Sequence, residues 1–402
     1  MLDVDVQVDG SELLLVVPLA GPPQDMGEPD SFSAVDADLE LPPEFFATLR
    51  RFAVPGEFVV ELGARSVWVR RASVVAVGDG DLEAWFAVLG FDPASTGIAD
   101  WLDCARVLSK ADVVADVCSA VGIEPLDAAT RGTVLISVLV DDPSSVADVA
   151  DHLRTRAPSS ELVVRLDASE GSPAGSLNGA VLRRVVTRRT CGFVIGGADS
   201  SAFFSKTLPR ELDNQYMLAV VILHWQRRHL LTILEGAQQI WAQTDGGSRG
   251  VERSTSIRRR FDELTELRGR YARLVSSGTF GPVFESMTQA RFWADLKDIY
   301  GVIDRYQEVS DALDTLGQSI ETEAGLRLER LLAFFALVLG VPSLIFAVFG
   351  PNIGDLTRSG VVSWALVTVI FIVSLTVGAA AYIGAVGRST ARPTIRNRRG
   401  LR

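Results

Sequence analysis

The residues of this 402-residue chain whose types and spacing fit a chemical task are few, and most lie toward its carboxyl end. Gly350-Pro351-Asn352 follows a long apolar run, with Asp355 just beyond it and Ser343 nine residues before Asn352. An amide oxygen at the end of a helix can replace part of the outer hydration shell of a divalent cation without stripping its inner waters. Asn352 is therefore the candidate ion-selecting residue, and Gly350 the tight turn that ends the helix. Asp355 is placed to draw cations toward it, beside Arg358. Ser343 falls on nearly the same helix face as Asn352, where its hydroxyl either lines a pore or bonds a carbonyl of the preceding turn next to Pro342. Gly, Pro and Asn are also ordinary turn formers, so the tripeptide alone equally fits a plain external turn. Upstream, Asp304, Asp311 and Asp314, with Glu321 and Glu323, recur along one helical segment. Such carboxylates either bridge a regulatory divalent cation between chains or simply face water.

Other chemistries find no footing. Cys104, Cys118 and Cys191 form no CxxC pair and lie among apolar residues, as buried thiols do in a reducing compartment. His152, His224 and His229 have no metal-ligand spacing to a Cys or carboxylate cluster. No phosphate-cradling glycine loop is present, and no nucleophile, base and orienting acid converge on a motif, so neither an enzyme nor a bound cofactor is expected.

The elements that position the carboxyl-terminal residues are two uncharged apolar runs, Leu331 to Phe349 and Val361 to Val386. Each is long enough to cross a hydrocarbon core of about 30 Å as a helix, which predicts a transmembrane hairpin. Arg388, Arg392, Arg396, Arg398, Arg399 and Arg402 follow the second run and Arg327 and Arg330 precede the first. Positive charge is retained inside, so both termini are expected in the cytoplasm. The start, Met1-Leu2-Asp3-Val4-Asp5, has neither the basic nor the apolar region of an export signal.

Before the first run stands an unusual segment. No proline occurs between Pro282 and Pro342, and Phe292, Leu296, Ile299, Ile303, Tyr306, Ser310, Leu313, Gly317, Ile320 and Ala324 alternate four- and three-residue steps. This heptad seam predicts one continuous helix from Phe284 to Phe349, about 99 Å long. Gly301, Gly317 and Gly325 weaken it by roughly 1 kcal/mol each. An apolar stripe of that length requires partners, and two spans per chain cannot enclose a pore. Arg210 to Gln243 and about Val251 to Val275 read as two earlier amphipathic helices.

The first 205 residues mix strand and helix patterns. Leu13 to Pro18, Phe58 to Leu62, Ser66 to Arg71, Thr133 to Val140, Leu162 to Leu166 and Gly192 to Gly197 read as strands. Pro42 to Phe52, Leu82 to Leu89, Ile98 to Val121 and Ser144 to Arg156 read as helices. Residues 1–200 carry 31 acidic against 15 basic side chains, a balance of −16 within a total of −11. That excess disfavours nucleic acid and anionic lipid as the main partner of this half; it suits a cation-rich setting or serves solubility alone.

In layout the chain resembles the CorA family of divalent-cation transporters, which carry Gly-Met-Asn, or Gly-Ile-Asn in a zinc-transporting branch, where this sequence has Gly350-Pro351-Asn352. Pro351 is the departure from the family pattern. The resemblance implies an oligomeric α+β cytoplasmic domain followed by long antiparallel helices and a two-helix transmembrane hairpin. In this chain that divides into a cytoplasmic domain over 1–208, antiparallel stalk helices over 209–283, a stalk helix entering the first span over 284–349, an external turn over 350–360, a second span over 361–386 and a basic tail over 387–402. It further implies a homopentamer, multi-pass in the plasma membrane and in contact with the lipid bilayer. Its task would be passive divalent-cation transport, with Mg2+ the foremost substrate and possible regulator; the alternative is a CorA-like sensor or scaffold that does not transport.

Overall fold

The computed structural model describes residues 4, 6, 11–23, 49–62, 65–78, 80–93, 95, 97–155, 165–168, 181–196, 211–245, 252–277, 287–356, 368–369, 372–373 and 376. Contacts divide the chain into two units, Met1–Gly246 with Glu263–Leu313, and Gly247–Asp262 with Asp314–Arg402.

The first unit is built on a nine-stranded mixed sheet. Its strands are β1 (Glu12–Leu19), β2 (Leu49–Ala53), β3 (Phe58–Leu62), β4 (Arg65–Val77), β5 (Ala84–Asp92), β6 (Thr133–Val140), β7 (Arg165–Ala168), β8 (Val181–Val186) and β9 (Thr190–Gly196). The order is β2-β4-β5-β1-β6-β9-β8-β7, with β3 added to β4, and only β6 and β9 run parallel. Helices α1 (Ile98–Leu108), α2 (Ala111–Val121) and α3 (Val146–Thr155) cover one face. Helix α4 (Met217–Asp245), preceded by a π turn at Leu212–Tyr216, and helix α6 (Met287–Ile299) contribute to the other, where Phe193 of β9 packs against Tyr216 and Phe292 at 4.7 and 5.6 Å between ring centroids.

Burial on both faces explains one departure from the sequence expectation. Leu82 to Leu89, expected as a helix, is instead the end of a 3-10 turn at Gly80–Leu82 followed by the start of β5, whose Ala84 to Phe91 are all buried. A strand covered on both sides is apolar throughout and loses the alternation that marks a strand. Residues 49–52 of the helix expected at Pro42 to Phe52 belong to β2, where Leu49 and Phe52 are buried and Arg50 is exposed; the remainder lies outside the described residues. The helix expected over Ile98 to Val121 is two, divided at Ser109-Lys110.

Helix α5 (Glu252–Ser277) follows α4. A side chain at Gly236 of α4 would stand 3.0 Å from Leu267 Cδ2 of α5, so the glycine permits close helix contact. Helix α7 (Val302–Leu356) is the longest element. The continuous helix expected over 284–349 is broken between α6 and α7, because Gly301 adopts φ +61°. That left-handed conformation cannot continue a right-handed helix. The break shifts the apolar seam by one position: Ile303 is exposed, and Val302, Val309, Leu313, Leu316 and Ile320 are buried.

In the second unit Glu323 of α7 accepts from Arg260 at 2.8 Å and from Arg327 at 3.1 Å. Beyond it the apolar side chains Leu326, Leu328, Leu331, Leu332, Phe335 and Leu339 are all exposed.

No helix formed by the described residues is long and apolar enough to cross a membrane. This overturns the expected transmembrane hairpin and, with it, the multi-pass plasma-membrane location. The first apolar run is the later part of α7, a helix charged before it at Glu323, Arg327, Glu329 and Arg330. Of the second run, only 368–369, 372–373 and 376 are described. The basic tail, 387–402, lies outside the described residues.

Candidate functional site

The break between α6 and α7 places a polar chain inside the first unit. Tyr300 still donates its backbone N–H to Leu296, Gly301 donates to Asp298, and α7 then starts with Arg305 donating to the Gly301 carbonyl at 3.1 Å. The bend turns the Tyr300 side chain into the sheet, where it is buried. Its hydroxyl donates to the Arg188 carbonyl at 2.8 Å and also stands 2.9 Å from Thr133 Oγ1. Thr133 Oγ1 in turn stands 2.9 Å from His224 Nε2.

One proton per hydroxyl fixes the direction of this chain. The Tyr300 proton goes to the Arg188 carbonyl, so the Thr133 proton goes to the Tyr300 oxygen and His224 supplies Nε2–H to Thr133. The imidazole must then be neutral and protonated on Nε2 when Nδ1 carries no proton. Burial, reinforced by Arg227 and Arg189, pushes its pKa down to about 3, which agrees with a neutral ring. The ring is held between Phe86 and Tyr300, at 6.4 and 5.3 Å between centroids. Burial foremost raises the Tyr300 phenol well above its ordinary range, so it stays a hydrogen-bond donor. Neutral, satisfied and enclosed, this chain can couple the sheet to the α6–α7 break; it has no group poised for proton transfer to a substrate.

Two buried ion pairs fasten other helices to the sheet. Arg184 Nη2 of β8 donates to Asp295 of α6 at 2.6 Å, with both side chains nearly inaccessible. Asp213, in the π turn, receives Arg51 at 2.9 and 3.1 Å and Arg71 at 2.9 Å, while Arg71 also reaches Glu12 at 2.9 Å. Burial raises the Glu12 carboxyl despite Arg71, so its desolvation outweighs the attraction.

The residues singled out from sequence occupy different places. Asp304, Asp311 and Asp314 are exposed along α7. Among the described residues no group of three His, Cys, Asp or Glu side chains is arranged to hold a metal ion. Ser343 Oγ donates to the Leu339 carbonyl at 2.6 Å, one turn back. Gly350, Asn352 and Asp355 have helical backbone within α7, which runs on to Leu356 through the first part of the expected external turn. Their side chains lie outside what is described. The three cysteines are buried and unpaired as thiols, and burial raises them to about 11 for Cys104 and about 12 for Cys118 and Cys191.

Thr133, His224 and Tyr300 went unrecognised in the sequence because they belong to three separate elements. The one signal pointing to them is Tyr300-Gly301, a helix-weakening dipeptide inside an otherwise regular seam. No family model and no curated protein sequence matches this chain.

Proposed function

We propose that this chain is a non-enzymatic scaffold or sensor that works as an assembly of its own copies, with divalent cations as regulating ligands. The observation that supports it is the exposed apolar surface of α7. Leu326, Leu328, Leu331, Leu332, Phe335 and Leu339 are between 48 and 65% exposed and point to more than one side of the helix. A helix apolar around much of its circumference requires cover, and contiguous exposed apolar surface marks an interaction site. A second copy presents the same surface and can cover it symmetrically. Earlier on the same helix, the exposed carboxylates of Asp304, Asp311 and Asp314 supply oxygen ligands that separate copies could share around a hydrated cation.

Sedimentation velocity of the purified full chain, with Mg2+ and with a chelator, tests this. The expected result is an oligomer that Leu328→Asp with Leu332→Asp dissociates and that Asp311→Asn with Asp314→Asn renders insensitive to Mg2+. A monomer at all concentrations overturns the assembly.

A further inference from the structure

We propose that the outward face of β3 and β4 around Trp68 binds a neutral glycan, with a gluco-configured pyranose ring stacked on the indole. The proposal concerns the first unit and is independent of the assembly through α7.

The first observation is an aromatic side chain left uncovered on a rigid support. Val67 and Val69 of β4 are buried in the core that α1 and α2 cover, so Trp68 between them stands on the opposite face, where it is 50% exposed. Its direct cross-strand partner on β3 is Val59, 44% exposed, and its partner on β5 is Asp92. Directly paired side chains lie about 5 Å apart at Cβ, so these three form one row across three strands.

The second observation is the polar frame of that row. On one side Glu61 is paired across the strands with Ser66 and accepts its hydroxyl at 2.6 Å. On the other, Arg70 Nε donates to Asp92 at 2.8 Å, and its Nη2 bonds the same oxygen. The remaining arginines of β4 are turned elsewhere, Arg65 to Asp100 of α1 and Arg71 to Glu12 and Asp213. With Glu57, exposed just before β3, this face carries three carboxylates against the engaged Arg70, a balance that repels anions. Each carboxylate has about four acceptor positions, so Glu61 and Asp92 can still take hydroxyl donors while holding Ser66 and Arg70.

The size of the uncovered patch decides between occupants. Two half-exposed side chains leave roughly 200 Å2 of apolar surface, far below the about 800 Å2 that each partner gives a stable protein interface. A short run of sugar rings fits it. Gluco-configured pyranoses hold their hydroxyls equatorial, which leaves apolar C–H faces to stack on an indole and a rim of hydroxyls to reach Glu61, Ser66 and Asp92.

Isothermal titration of the full chain with cellohexaose, and separately with chitohexaose, at low and high salt provides the test. Saturable binding with a Kd of about 0.1–1 mM is expected for at least one of them, unchanged by salt because the ligand is uncharged. Trp68→Ala, which removes an exposed side chain and leaves the core intact, should weaken binding at least about tenfold. Trp68→Tyr should keep most of it. Trp241→Ala, which removes the 47% exposed tryptophan of α4, should bind as the unsubstituted chain does. Preference for chitohexaose assigns the site to acetamido sugars and preference for cellohexaose to plain glucans; either supports it. No saturable heat with either glycan up to about 10 mM, a Kd too weak for a built site, overturns the proposal. So does equal binding by Trp68→Ala, or binding that high salt abolishes. A Trp68→Ala variant that sediments as a smaller species assigns the face to a second copy of the chain and overturns it as well.

Discussion

Thr133 opens β6 and Tyr300 closes the turn after α6, and although 167 residues apart their hydroxyl oxygens stand 2.9 Å from each other inside the first unit. Removing the tyrosine hydroxyl takes a partner from the buried Thr133 hydroxyl and another from the Arg188 carbonyl. Tyr300→Phe should lower stability by about 2 kcal/mol, the usual scale for a buried group left unsatisfied. Chemical denaturation checks this, and Thr133→Val in the Tyr300→Phe background should cost less than it does alone.

Gly301 carries the φ of +61° that ends one helix before the next, and no atom lies within 4 Å of where a side chain would be. Conformation and not space is therefore the constraint. Gly301→Ala should cost about 1 kcal/mol and Gly301→Asn less, since Asn tolerates the left-handed region. Thermal denaturation of the two variants side by side gives the order.

Asp295 and Arg184 form a pair with almost no access to water. Asp295→Ala leaves the guanidinium buried without its main counter-charge and should destabilise by about 3–5 kcal/mol. Replacing both, with Arg184→Met and Asp295→Leu, should recover most of that loss, and urea titrations of the single and double variants measure the difference.

The neutral imidazole of His224 makes the fold sensitive to acid. Its folded pKa of about 3 lies below the ordinary value of 6.5, so the unfolded chain binds the proton more readily. The stability tied to the neutral ring is complete above about pH 6.5 and is lost as pH falls toward 3. The urea midpoint should drop between about pH 7 and about pH 5, above most carboxylate titrations, and His224→Gln should flatten that slope.

What the sequence made legible follows from how each element meets water. Val59 and Glu61 of β3 are exposed while Val60 and Leu62 are buried, and that alternation set its limits at Phe58–Leu62 as expected. In β5 every residue from Ala84 to Phe91 is covered, so no period survives to separate strand from helix. The seam of α7 was readable from Leu313 to Ile320, yet its phase before Leu313 depended on Gly301, whose backbone state follows from tertiary packing around Tyr300. The polar chain through His224, Thr133 and Tyr300 was hidden for a similar reason. Each residue is unremarkable in its own element, and only the crossing of β6, α4 and α6 brings them together.

The place of β1 in the sheet has a consequence for how the first unit can come apart. It is hydrogen-bonded to β5 on one side and β6 on the other, and the strand order offers no second link between the two halves. Withdrawing this one eight-residue strand would leave two smaller sheets, each with an unprotected apolar edge open to another chain. The integrity of the whole sheet thus hangs on Glu12–Leu19. Its neighbour β6 is not complete until residue 140, so β1 must stay unpaired on that side while more than a hundred further residues are synthesised.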